Sequence, residues 1–268
     1  MNNPTETFPT FNFDHEPTFA EIWDKCVYLL YDIKDFTSDL EQLYQKLGIH
    51  KGSKIIDVAA GAGFPSLDLI KSGFEITCTD GADDMIELFN SKAAEADIIS
   101  RCRKALWLEL PELFSQEQFD LLMCRGISFI YADGGWNRHE MPNPERAIKA
   151  YTETLAAFYS RLNKGGWVHL DKFKDEEIGH RIKVSEIKVK ESPTEDLVFW
   201  TQRDVDSKVR QAAMIRETGE NKQLIPNVTY DLTGAELEQM MAEVGFVDIQ
   251  KISLPSEKLF DIWIGRKP

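Results

Sequence analysis

Cysteine is scarce and scattered. Cys26, Cys78, Cys102 and Cys124 form no CxxC pair, and the five histidines show no HxxxH or HExxH spacing. A zinc site is therefore not indicated, and the cysteines are expected as reduced thiols, Cys78 and Cys124 within buried strands. Positive charge is in deficit: 31 Lys+Arg face 45 Asp+Glu, a net charge of −14. Such a field repels polyphosphates, which argues against a nucleic-acid partner and suits a neutral or cationic small molecule better. No apolar run approaches the length of a membrane span. The opening "MNNPTETFPTFNFDHEP" is polar and acidic, unlike a signal or transit peptide. The expectation is a cytoplasmic protein with neither membrane nor nucleic acid as partner, a monomer or a homodimer.

What remains is ordinary globular material: 268 residues, 43% hydrophobic and 28% charged, enough for one large domain with an elaborate insertion. Residues 19–47 carry apolar positions at helical spacing, and residues 1–50 read as an N-terminal helical cap. "KIIDVAA", "GFEITCTD", "FDLLMCRG" and "WVHLDKF" read as strands alternating with helices. That alternation predicts an α/β fold, a doubly wound, mostly parallel, Rossmann-like sheet over 51–182 and 231–268. "FVDIQKISL" and "FDIWIGR" read as an antiparallel closing strand pair. Residues 183–230 read as an antiparallel β insert, a lid or an oligomer contact. Thr233 followed by Glu236 has the spacing of a capping box.

The stretch "DVAAGAGFPS" follows the first of the parallel strands. Two close glycines, Gly61 and Gly63, suggest a nucleotide-binding turn, but Ser66 stands where a dinucleotide fingerprint has its third glycine. Asp57 places an acid before the turn, where it would repel phosphate. Pro65 removes an amide donor near the following helix, and no Gly-Lys-Ser/Thr end is present. These features disfavour a pyrophosphate and so an NAD(P)-dependent oxidoreductase. They suit S-adenosylmethionine, whose ammonium and sulfonium an acid attracts. Ala59 and its small neighbours allow close backbone approach, and Asp80, ending the second strand, is placed to accept ribose hydroxyls.

The run "IDVAAGAGFPSLDL … GFEITCTDGADDM … FDLLMCRGISFIYADGGW … LNKGGWVHLD" resembles class I S-adenosylmethionine-dependent methyltransferases, and within them the glycine and sarcosine N-methyltransferase group. The resemblance implies that Asp57, Ala59, Gly61 and Gly63 line the methionine and ribose region and that Asp80 with Gly81 holds the ribose. It also implies that Met85 and Trp107 flank the adenine, and that Arg125, after the fourth strand, belongs to the cofactor site. Leu106 stands where the group has an acid for the adenine amino group, so a backbone carbonyl is expected to replace that contact. Arg125 and Ser128 match the group's Arg-Gly-Asn-Ser segment, but its carboxylate-reading asparagine is Ile127. Its carboxylate-reading arginine is Phe173, with Lys172 or Lys174 as substitutes.

The expected reaction is N-methylation of a small amine lacking a glycine-like carboxylate, cationic or guanidine-bearing, with glycine or sarcosine and O-methylation as alternatives. Tyr28, Tyr31, Tyr131, Trp136 and Phe173, together with Trp23 and Phe129, are candidate aromatic walls for a cation. His139 and Asp171 are the candidate bases for deprotonating the amine.

Overall fold

The computed structural model describes residues 8–134, 136, 139–176, 179–219 and 221–268, the side chains of 221–224 excepted. The chain divides into two compact units. The larger holds Phe19–Asp133, Glu145–Asp175 and Leu232–Pro268; the smaller holds the described residues before Phe19, with Gly134–Pro144 and Glu176–Asp231.

In the smaller unit, β1 (Thr10–Phe13) lies parallel to β7 (Gly179–Val189), Thr10 opposite Glu186. An antiparallel meander continues through β8 (Thr194–Asp204), β9 (Val209–Thr218) and β10 (Asn221–Tyr230). The leader, read as part of a helical cap, thus supplies an edge strand: Phe11 and Phe13 alternate inward with Thr10 and Asn12 outward, a period of two rather than of a helix. Buried Asp231 accepts from both Arg203 and Arg210, and Arg216 pairs with Glu195 and Glu16.

The larger unit is built on a seven-stranded sheet. Its strands are β2 (Lys54–Asp57), β3 (Glu75–Asp80), β4 (Cys102–Lys104), β5 (Phe119–Cys124), β6 (Leu162–Phe173), β11 (Val247–Ile252) and β12 (Phe260–Arg266). The spatial order is β11-β12-β6-β5-β2-β3-β4, parallel from β6 to β4, with β12 and β11 antiparallel at one edge. The central strands are apolar because both faces are covered; in "FDLLMC" only Asp120 is not fully buried. Strand order reverses between β2 and β5, which makes the carboxyl ends of these two strands the switch point where ligands of such sheets gather.

The helical stretch expected over 19–47 is broken into α1 (Phe19–Leu30) and α2 (Ile33–Lys46). Asp32 is extended, and its side chain caps α2 by accepting the Asp35 amide at 3.0 Å. The segment 106–118 contains a 3-10 turn and the single-turn α5 (Leu110–Leu113), while α3 (Ser66–Lys71) and α4 (Asp83–Glu95) follow β2 and β3. α6 (Pro144–Arg161) precedes β6, and α7 (Gly234–Val244) starts at the expected capping box, with Thr233 accepting the Glu236 amide and Glu236 the Thr233 amide. In the core, Tyr44 Oη lies 3.0 Å from His169 Nδ1, and burial holds that imidazole well below its ordinary pKa. All four cysteines are buried free thiols.

Candidate active site

The strand–turn–helix after β2 is held from behind. Asp57 is buried, its Oδ2 accepting the Ser66 hydroxyl at 2.6 Å and its Oδ1 the Ala59 amide at 3.1 Å. Burial raises its carboxyl to about 6 against the pull of these two donors. Its carboxylate thus ties α3 to β2 within the protein. Ser66, read only as a missing glycine, is the residue that makes this tie.

Gly61 and Gly63 differ in kind. Gly63, at φ +111°, is crowded: an added Cβ would stand 2.4 Å from Leu67 Cδ1. It lets helix and strand approach. Gly61, at φ +52°, is open, with only Met85 Sδ near, at 3.9 Å. Its amide donates to Asp80 Oδ2 at 2.8 Å, and the Ala82 amide donates to Oδ1 at 2.9 Å. Each Asp80 oxygen keeps a further lone pair. Burial pushes its carboxyl up, while these amides pull it down.

The amides of Ala59, Ala60, Gly61 and Gly63 all have partners within the protein: Asp57, the Thr79 carbonyl, Asp80 and the Ala60 carbonyl. A phosphate-binding turn presents such groups to its ligand. Here these four are occupied, which adds to Asp57 in the argument against a pyrophosphate.

Around Gly61 the walls are apolar. Met85 packs with Ala20 and Ala62, and Phe19 and Trp23 of α1 lie against this group, their rings stacked 6.2 Å apart. Leu106 is exposed and reaches over Gly81, where an added Cβ would lie 3.4 Å from Leu106 Cδ2. Trp107 anchors the wall by donating its indole N–H to the Val58 carbonyl at 2.7 Å.

At the carboxyl ends of β5 and β6 a second, buried constellation forms. Asp171 accepts the Ile127 amide at 2.6 Å and the Gly126 amide at 3.0 Å, and Arg125 lies 3.3 Å away. Arg125 also pairs with Glu257 at 3.1 Å and lies over the Phe36 ring. Tyr31 donates its hydroxyl to Glu257. Burial raises Asp171 to about 6, opposed first by Arg125. Asp171, expected as a base, is fully buried with both oxygens engaged by the turn after β5. Arg125, expected at the cofactor, is buried as well, its Nη2 between two carboxylates and its Nε without a partner. Glu257, far along the chain in the loop before β12, carried no signal in its neighbours.

Ile127 adopts φ +58°, a region that a β-branched side chain avoids at a cost of about 1–2 kcal/mol. It packs with Ile130 and Phe260, and Tyr131, Phe173 and Leu259 flank them. The substitutes for a carboxylate reader are engaged elsewhere: Lys172 donates to Asp175 and to the Phe173 carbonyl, and Lys174 to the Lys258 carbonyl. Ser128 is half-buried at the start of the following 3-10 turn.

Within the larger unit the described aromatic candidates have different surroundings. Tyr28 is half-exposed beside Lys92 in the last turn of α4, the end remote from the strands' carboxyl ends. Phe129 is core, against Tyr151 and Phe158. Trp136 and His139 are exposed and belong to the smaller unit. In the Gly- and Pro-rich stretch around Trp136 and His139, Gly135, Asn137 and Arg138 lie outside the described residues. Tyr131 and Phe173 share a cluster.

Residues 49–245 match the methyltransferase domain family, and the chain belongs to it. The glycine/sarcosine N-methyltransferase of Aphanothece halophytica is 29% identical over 171 residues, 63% of this chain and 58% of that enzyme. The glycine N-methyltransferase of Rattus norvegicus is 31% identical over 128 residues, 46% of this chain and 41% of that enzyme. The match thus spans little more than half of the first relative and less of the second. SAM-bound CalS10, an amino pentose methyltransferase from Micromonospora echinaspora, superposes with a TM-score of 0.66 at 14% identity, over 95% of this chain and 100% of that one. The sugar N-methyltransferase KedS8 from Streptoalloteichus gives 0.65 at 12% identity, over 100% and 98%. At such identities the likeness is one of fold.

Proposed function

We propose that this chain is an S-adenosylmethionine-dependent N-methyltransferase of a small amine that lacks a glycine-like carboxylate. The observation that carries the reading is the open cradle at Gly61 beside Asp80, in a member of the methyltransferase domain family. Asp80 has lone pairs left for two ribose hydroxyls. Gly61 leaves room for close approach over Met85, and Leu106 with Trp107 supplies an apolar edge for an adenine. When bound, the donor supplies a sulfonium methyl carbon that an amine lone pair can displace.

The protein's contribution is alignment and exclusion of water, an effect worth roughly 7–11 kcal/mol in well-oriented reactions. An ammonium has no lone pair, so the acceptor must be the free amine. Asp171, the better-placed of the two expected bases, is engaged with backbone amides. Capture of the neutral amine from solution therefore fits better than proton removal by that residue.

Glycine or sarcosine is the second reading, favoured by the relatives from Aphanothece and Rattus. Against it stand Ile127 and Phe173, and lysines already engaged. Calorimetric titration with S-adenosylhomocysteine tests the donor site. Transfer of a labelled methyl group to a panel of amines, glycine and sarcosine included, tests the acceptor. Absence of S-adenosylhomocysteine binding overturns the reading, and preferred turnover of glycine replaces it with the second.

A further inference from the structure

Ile127 is held where it would not stay unaided. A β-branched residue in the left-handed region is a genuine outlier, and such residues persist only where surrounding structure over-determines them. Here the determinant is visible: the two oxygens of buried Asp171 take the amides of Gly126 and Ile127, themselves at φ +70° and +58°. Arg125 and Glu257 then fix Asp171. The strain lies at the carboxyl end of β5, next to β2 and its glycine turn, where this type of sheet binds ligands.

The held conformation sets the Ile127 side chain against Ile130 and Phe260, with Tyr131, Phe173 and Leu259 partly open at the rim. Among the described residues no side-chain cation is presented to a carboxylate at this place: Lys172 and Lys174 donate to protein acceptors, and Arg125 is buried, its Nη2 paired with Asp171 and Glu257 and its Nε enclosed without a partner. A carboxylate pressed onto this wall would lose water and gain no partner.

We propose that this wall receives the apolar body of the methyl acceptor, so that the substrate is an amine on a hydrocarbon or aryl group, and that Asp171 is the positioning residue that keeps Ile127 in the wall. The inference rests on the methyl-transfer reading and narrows its substrate.

Binding to protein saturated with S-adenosylhomocysteine isolates the acceptor site from chemistry. Three amines serve as probes: 2-phenylethylamine, phenylalanine (which adds only a carboxylate) and methylamine (which lacks the apolar body). 2-Phenylethylamine is expected to bind at least about tenfold more tightly than either. Ile127→Gly, which takes the backbone conformation without strain, is expected to weaken 2-phenylethylamine about tenfold and leave methylamine unchanged. Asp171→Asn is expected to have the same effect, but to add nothing in the Ile127→Gly background, because glycine needs no clamp. Tighter binding of phenylalanine, no binding of 2-phenylethylamine, an unchanged preference in Ile127→Gly, or additive losses in the double variant would each overturn the proposal. Should Asp171→Asn fail to fold, Ile127→Gly alone still decides. Failure of the underlying reading shows separately, as loss of S-adenosylhomocysteine binding in the unmodified protein.

Discussion

Asp80 Oδ2 accepts the Gly61 amide at 2.8 Å, joining the end of β3 to the turn after β2. The carboxylate therefore shapes the turn and, in the proposed function, holds the ribose. Asp80→Asn turns one acceptor oxygen into a donor that faces either an amide or a hydroxyl. The expected result is a loss of S-adenosylhomocysteine affinity of about 10–100-fold, about 1–3 kcal/mol, read by calorimetry.

The two glycines of the turn should separate in their effects. Gly63→Ala drives a methyl into Leu67 and is expected to cost about 1–3 kcal/mol of stability, seen in urea unfolding. Gly61→Ala meets only Met85 at contact distance and should cost about 1–2 kcal/mol through its positive φ. Its larger effect is expected on S-adenosylhomocysteine affinity, because the new methyl enters the proposed ligand space.

Stability should depend on pH through Asp57. Its carboxyl rises from 3.8 in a free chain to about 6 in the fold, so the folded protein binds the extra proton between these values. The contribution to stability is fully present below about pH 4 and is lost as pH rises through 6, amounting to about 3 kcal/mol. Asp171 acts in the same direction. Buried His169 acts oppositely, losing stability as pH falls below its free value of 6.5. Asp57→Asn removes one of these groups. Unfolding free energies measured from pH 4 to 8 should then show a smaller decline than in the unmodified protein.

In the smaller unit, Asp231 is the shared acceptor of Arg203 and Arg210, all three largely buried. Asp231→Ala leaves two guanidinium groups without this acceptor, a change expected to cost about 3–5 kcal/mol. Faster amide exchange in β8 to β10 is the expected sign. An unchanged exchange pattern would show that solvent reaches the pair.

The sheet and most strands were legible because buried parallel strands are apolar runs and their connecting helices are amphipathic. Strand β4 was not: "CRK" is three residues at a sheet edge, two of them charged, and carries no hydrophobic pattern. The break at Asp32 was hidden because leucine periodicity runs through it, while the cap depends on one side chain. The placement of Gly61 after β2 and of Asp80 at the end of β3 was legible from the strand pattern. The inward turn of Asp57 was not, since it depends on Ser66, a residue whose type says nothing of its partner. Glu257 was out of reach for another reason. It meets Arg125 across 132 positions of chain, a contact that only the closing strand pair creates.

The turn after β2 is tied within the protein, the amides of Ala59, Ala60, Gly61 and Gly63 engaged and Asp57 bonded to Ser66. Little conformational entropy then remains to be lost there on binding. Donor and spent product, which share the adenosine moiety, should meet the same rigid surface. The adenosine contacts would then contribute nearly equally to both, leaving the sulfonium side to tell them apart, and accumulated product should be a competitive brake on the reaction.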